Sequence, residues 1–210
     1  MALLLAVARR VGEGERHLRA GEWTGWRPTH MMGTSVTGKT LGMGRIARAV
    51  AARAHHGFDM KIIFHDPFPP NVDGLAGLNA IACESPTDVF EQADFISLHC
   101  PGGKETYHLI GTEAFKAMKS GAFLINSARG DVVDEAALVT ALEAGEIVGA
   151  GLDVFENEPR VTPALTKMEN VVLLPHLGSA TRETRKAMGM RVVENIDASF
   201  NGEAPRDKLV

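Results

Sequence analysis

Residues 33–47 read GTSVTGKTLGMGRIA and satisfy two phosphate-binding patterns at once. Positions 33–40 spell G-x-x-x-x-G-K-T, a P-loop, and positions 42–47 spell G-x-G-x-x-A, a dinucleotide-binding turn. A P-loop needs an apolar strand ahead of it and a helix opened by its lysine. Here TGWRPTHMM precedes Gly33, with Pro28 and no strand pattern, and Gly42 and Gly44 would weaken the first helical turns. The dinucleotide pattern is better supported downstream: an alanine-rich helix over residues 45–55, the strand MKIIFHD, and Asp66 at its end. An acidic residue at that place accepts hydrogen bonds from the adenosine ribose hydroxyls and favours NAD over NADP. Upstream, only Lys39, Thr40 and Leu41 separate Gly38 from Gly42, so the first strand is expected to be shortened.

The rest of the chain alternates helices with short, continuously apolar strands. Ser85 and Pro86 open one helix, Thr112 caps the next, and Asp134 caps EAALVTALEAG; each leads into a strand, DFISLH, AFLIN or IVGAGLDV. NVVLLP and a long helix over residues 179–200 close the series. Such alternation implies parallel pairing, hence an α/β, doubly wound parallel sheet of Rossmann type preceded by a helical arm. The expected organisation is a helical arm and crossover over residues 1–30, an NAD-binding domain over 31–180, and a C-terminal helix and tail over 181–210. In these sheets ligands sit at the carboxyl ends of the strands, here Asp66, residues 99–101, 126–130, 153–159 and 175–178.

Composition excludes several classes. A net charge of -4 in 210 residues gives no general attraction to nucleic acid or an anionic membrane. The apolar run at residues 3–8 is too short to span a bilayer, and its positive charges, Arg9 and Arg10, follow it, unlike those of a signal peptide. The N-terminal stretch reads instead as one amphipathic helix, with Leu4, Val7, Val11 and Leu18 near one face, followed by a loop whose Trp23 and Trp26 are expected to pack. Cys83 and Cys100 match no metal-ligand spacing and are too few for a disulfide framework, which suits buried thiols in a reducing cytoplasm. No His, Cys or carboxylate cluster argues for a metal.

The phrases GKTLG, MGRIA, MKIIFHDPF, LHCPGGKETYHLIG, NSARGDVVDEAALVTALEAGEIVGAGLDVFENEP and NVVLLPHLGSATRETR resemble the D-isomer-specific 2-hydroxyacid dehydrogenases, close to their glyoxylate and hydroxypyruvate reductase members. That resemblance implies an NAD-dependent oxidoreductase that reduces a small 2-oxo acid. It makes His176 the acid/base, Glu158 its orienting partner and Arg129 the group that binds the substrate carboxylate and polarises the carbonyl. It assigns cofactor contacts to Gly42, Gly44, Arg45, Ile46, Asp66, Cys100, Pro101, Ser127, Ala128, Asp153, His176 and Gly178, Asp153 meeting the nicotinamide carboxamide. His99 and His108 read as structural. The family's text usually has about three more residues between Gly42 and Met43, and a substrate domain before the first helix. The resemblance therefore implies a chain without that domain, with weakened cofactor binding and reduced turnover, and a homodimer formed through the arm. The family also resembles the C-terminal-binding corepressors, so a non-catalytic NAD(H)-binding interaction protein stands as a second reading.

Overall fold

The computed structural model describes residues 1–43, 48–66, 75 and 77–208. The chain divides into two compact units, Met1–Pro175 and His176–Val210. The first is built on seven strands: β1 (Thr40–Met43), β2 (Lys61–Phe64), β3 (Ile81–Ala82), β4 (Phe95–Leu98), β5 (Phe123–Asn126), β6 (Gly149–Leu152) and β7 (Val171–Leu173). Their order is β3-β2-β1-β4-β5-β6-β7, every pair parallel. The chain winds outward from β1 in one direction and then from β4 in the other, so the order reverses between β1 and β4. Residues of β4, β5 and β6 are buried throughout, which is why these strands read as unbroken apolar runs without alternation.

Helices cover both faces. The core on one side joins α4 (Pro86–Gln92), α5 (Thr112–Ala117) and α6 (Glu135–Ala144) to the sheet through Val89, Phe90, Phe115, Leu138 and Leu142. The opposite core joins α1 (Ala2–Ala8) and α3 (Arg48–Phe58) through Leu3, Leu4, Val7, Ala51 and Ala54. Two helix starts follow the sequence directly. Ser85 Oγ accepts from the Asp88 amide while Asp88 accepts from the Ser85 amide, a reciprocal capping box, and Asp134 Oδ1 accepts from the amides of Ala136 and Ala137. The cap expected at Thr112 is displaced by one residue: Gly111 is the N-cap and no side chain bonds there.

The arm departs from its expected form. It is two helices, α1 and α2 (Val11–Arg19), broken at Arg10, whose φ of 53° lies in the left-handed region. Leu4 and Val7 are buried, whereas Val11 and Leu18 are more than half exposed. The periodicity runs through the break because it registers side-chain chemistry and not the backbone turn that redirects α2. Trp23 and Trp26, expected to pack, are exposed. Cys83 and Cys100 are free, half-buried thiols.

The first strand is the main correction. At four residues β1 is as long as β2, β4, β5 and β6, not shortened. It reaches that length by taking Gly42 and Met43, which the sequence pattern assigns to the turn. Gly42 pairs with Ile63 on one side and Ile96 on the other, so it lies inside the sheet. A Cβ there would land well inside van der Waals distance of Val89 Cγ1 and 2.9 Å from Ala93 Cβ, so α4 packs onto bare backbone. Leu41 and Met43 point to the other face and are buried at 0% and 4% exposure. Lys39 stays outside the strand, only half-buried, so no ammonium is driven into the sheet. The Lys39–Thr40 pair of the P-loop pattern sits at the amino end of β1, away from the edge where such folds bind ligands, which removes that reading.

In the second unit, α7 (Arg182–Phe200) is capped by Thr181, whose side chain accepts from the Thr184 amide at 3.1 Å.

Candidate active site

The carboxyl edge of the sheet collects the expected residues of the first unit. β5 ends at Asn126, 1% exposed, whose side chain spans the turn that follows: Oδ1 accepts from the Ala128 amide at 3.0 Å and Nδ2 donates to the Arg129 carbonyl at 2.9 Å. A buried amide bonded at both ends fixes this turn, since loss of either bond would strand a polar group out of reach of water. The clamp sets Ser127 and Arg129 outward and Ala128 inward. Arg129 precedes a 3-10 turn, Gly130–Val132; its Nη1 donates back to the Ala128 carbonyl at 2.7 Å, and the residue is exposed. A planar, permanently charged donor set of this kind suits a carboxylate.

Gly130 presses on the next loop. A Cβ there would overlap the Phe155 carbonyl and come 2.5 Å from the Glu156 nitrogen, so the Arg129 turn rests on the backbone of the loop after β6. That loop carries Asp153, 4% exposed, whose amide donates to the Asn126 carbonyl at 2.9 Å, and Glu158, whose Oε1 accepts from the Phe155 amide at 3.1 Å. The guanidinium and the carboxylate are therefore presented by two loops seated on each other.

The loop after β4 supplies Cys100 and Pro101. Together with His65, Pro86, Ser97 and Thr106 they line a cavity of about 310 Å³ with a mostly apolar wall. Burial pushes the Cys100 thiol pKa above its ordinary value, which favours the neutral thiol over the nucleophilic thiolate. His99 Nε2 is 2.9 Å from Ser97 Oγ; burial lowers its pKa from 6.5 to about 4, so it is neutral near pH 7. Asp66 follows β2 two residues beyond Phe64, half-buried.

These features fit the adenosine half of a dinucleotide: a switch in strand order between β1 and β4, an acidic residue after β2 for ribose hydroxyls, and an apolar slot after β4. Of the expected phosphate-side residues, Gly42 lies in β1, while Gly44, Arg45 and Ile46 fall outside the described residues. His176 and Gly178 belong to the second unit, where His176 has a φ of 54°, a conformation unfavourable for a residue with a side chain. Among the described residues no group of three or more His, Cys, Asp or Glu could hold a metal, and no helix is long and apolar enough to cross a membrane.

Sequence reading alone underrates Asn126, Gly130 and the pair His108 and Glu156. Asn126 and Gly130 lie within a strand-end segment that signals a site, but their tasks, a clamp and a backbone contact, depend on what the fold sets beside them.

Residues 1–178 match the sequence profile of the D-isomer specific 2-hydroxyacid dehydrogenase, NAD binding domain. The chain is 48% identical to a glyoxylate reductase of Thermococcus litoralis, the alignment covering 97% of this chain and 63% of that protein. The crystal structure of the TT0316 protein of Thermus thermophilus superposes with a TM-score of 0.91 at 42% identity, over 100% of this chain and 66% of that one. An NADPH-dependent glyoxylate/hydroxypyruvate reductase of Sinorhizobium meliloti, solved in complex with citrate, gives a TM-score of 0.85 at 38% identity, over 97% and 64%. The chain thus spans somewhat less than two thirds of the length of these relatives. Strand order, site loops and sequence agree: the chain belongs to the D-isomer-specific 2-hydroxyacid dehydrogenase family, and what it matches is that family's NAD-binding domain.

Proposed function

We propose that this protein is an NAD(H)-dependent oxidoreductase that reduces a small 2-oxo acid, glyoxylate or hydroxypyruvate, to the 2-hydroxy acid. The observation that carries this reading is the seating of the Arg129 turn on the Glu158 loop through Gly130 and Phe155. It sets a guanidinium and a carboxylate at the carboxyl edge of the sheet, which supports a site for a small acid.

The division of labour follows from the chemistry of the side chains. Arg129 grips the substrate carboxylate and withdraws electron density from the adjacent carbonyl. The bound nicotinamide would supply hydride to the carbonyl carbon. His176 delivers the proton to the carbonyl oxygen and takes it back in the reverse direction, a task suited to imidazole near neutral pH. Glu158 holds that imidazole in its working protonation state. Asp153 receives the nicotinamide carboxamide, Ser127 and Ala128 flank the nicotinamide through backbone groups, and Cys100 and Pro101 wall the adenosine. Asp66 accepts from the ribose hydroxyls and makes the preferred cofactor NADH, unlike that of the NADPH-dependent Sinorhizobium relative. Gly44, Arg45, Ile46 and Gly178 complete the cofactor contacts. A cytoplasmic homodimer, paired through the arm, is the assembly we assign.

The test is the oxidation of NADH with glyoxylate and with hydroxypyruvate. Turnover is expected with either acid, and Arg129→Gln is expected to raise KM and lower kcat/KM by about a hundredfold. NADH binding that is unaffected by either acid, without turnover, would overturn the reading and favour a binding protein.

A further inference from the structure

His108 ties together the three loops that make up the candidate site in the first unit, although nothing in the mechanism above uses it. Its backbone has a φ of 51°, in the left-handed region where a non-glycine residue is strained. Its amide donates to the Asp131 carbonyl at 2.9 Å, joining the loop after β4 to the Arg129 turn. Its Nε2 lies 2.9 Å from Glu156 Oε1, joining the same loop to the segment that carries Glu158 two residues on. Because an ionised carboxylate only accepts, the Nε2–H is the donor.

The surroundings are built to hold this arrangement. Glu156 Oε2 accepts from the Glu135 amide at 3.4 Å, and the Glu156 amide donates to Glu135 Oε1 at 2.8 Å, so both ends of Glu156 are pinned to the first turn of α6. The Glu135 side chain is only 4% exposed and also accepts from Thr162 Oγ1. Asp134 Oδ2 faces His108 Nδ1 at 3.9 Å, and Tyr107 stacks on the imidazole at 3.9 Å between ring centres. Asp131 Oδ2 accepts from the Gly103 amide, closing the contact from the other side. A strained backbone, a charge-assisted bond across 48 residues of sequence and a stacked ring at one position are more than packing requires.

We infer that His108 is a positioning residue: its hydrogen bond to Glu156 sets the loop bearing Glu158 against the turn bearing Arg129, and so fixes the spacing of Arg129, which binds the 2-oxo acid, and Glu158, which orients the proton donor. The inference deepens the function proposed above and rests on it for its kinetic consequence. Geometry errors of about 1 Å in such sites cost on the order of a hundredfold in rate.

The experiment compares His108→Ala, His108→Asn, His108→Gln, Glu156→Ala and the double variant His108→Ala with Glu156→Ala in the full chain. Asparagine tolerates the left-handed backbone but is too short to reach Glu156, whereas glutamine extends an amide donor towards it. Hydrogen exchange followed by mass spectrometry is expected to quicken in residues 127–134 and 153–160 for the alanine and asparagine variants, and to return towards the native rate for glutamine. Glyoxylate kcat/KM should fall roughly ten- to hundredfold in the same two variants while NADH affinity holds, with His108→Ala and Glu156→Ala no worse together than apart. Unchanged exchange in both segments, equal behaviour of the alanine and glutamine variants, or additive losses would overturn the role. If the native chain fails to reduce any 2-oxo acid, the proposed function falls, and the exchange pattern still decides whether His108 ties the loops.

Discussion

Replacing Gly42 with alanine separates a strand residue from a turn residue. The new Cβ meets Val89 Cγ1 at far less than contact distance and Ala93 Cβ at 2.9 Å. Neither neighbour yields readily: valine is stiff at χ1, and the Ala93 methyl moves only with the backbone at the end of α4. Overpacking of this kind costs about 1–3 kcal/mol, and the gain from a stiffer unfolded chain returns roughly 0.4–1 kcal/mol, leaving a net loss of about 1.3 kcal/mol. For a protein of this size that lowers Tm by roughly 3–5 °C. Val89→Ala, at a site 4% exposed, should cost about 2 kcal/mol alone through lost burial and the cavity left. In the double variant the methyl introduced at position 42 enters the space vacated by valine, so the combined loss should fall short of the sum by about 1 kcal/mol or more. Urea unfolding of the four proteins gives the cycle. A Gly42→Ala protein within about 0.5 kcal/mol of native stability that binds NADH tenfold more weakly would return Gly42 to the turn.

The remaining expectations concern pH, cofactor choice and the site contact. His99 has a folded pKa near 4 against an ordinary 6.5, so its contribution to stability is full above about pH 6.5 and is lost as pH falls towards 4. Thermal melts should show a slope in that window that His99→Gln removes, and an unchanged slope would exclude His99 as its source. Asp66→Ser should bring NADPH affinity closer to that of NADH by about tenfold, roughly 1.4 kcal/mol, measured by fluorescence titration; an undiminished preference would place cofactor selection elsewhere. Gly130→Ala should abolish most glyoxylate reduction, on the order of a hundredfold in kcat/KM, because the methyl overlaps Phe155 and forces the two site loops apart. Activity near the native level would show that the Arg129 turn tolerates displacement.

Much of this could be read from the chain because the local signals and the fold agree. The apolar runs of β4, β5 and β6 lie between two helical layers, so their composition carries the parallel sheet without any need for alternation. Ser85 and Asp134 bond within three residues of themselves, so their caps are written locally. Gly42 was not legible in that way. The letters G-x-G-x-x-A are the same whether the first glycine lies in a turn or a strand, and the choice is made by pairing with Ile63 and Ile96 and by the approach of α4. The break after α1 escaped for a related reason: Leu4 and Val7 are buried against the sheet while Val11 and Leu18 keep the same period in solvent. At the site, Arg129 and Glu158 stand out by their phrases. Their seating through Gly130, and the tie from His108 to Glu156, join residues that are distant in sequence.

The reaction proposed for this chain is hydride transfer from NADH to a small 2-oxo acid, with His176 delivering the proton. Its most direct test is the rate of glyoxylate-dependent NADH oxidation in the native chain and in His176→Ala, with NADH affinity measured on both. Native turnover is expected, with a loss of about 10²–10⁴-fold in kcat for the variant at unchanged cofactor affinity. Absence of turnover in the native chain, or a variant that reduces glyoxylate as fast as the native protein, would contradict it.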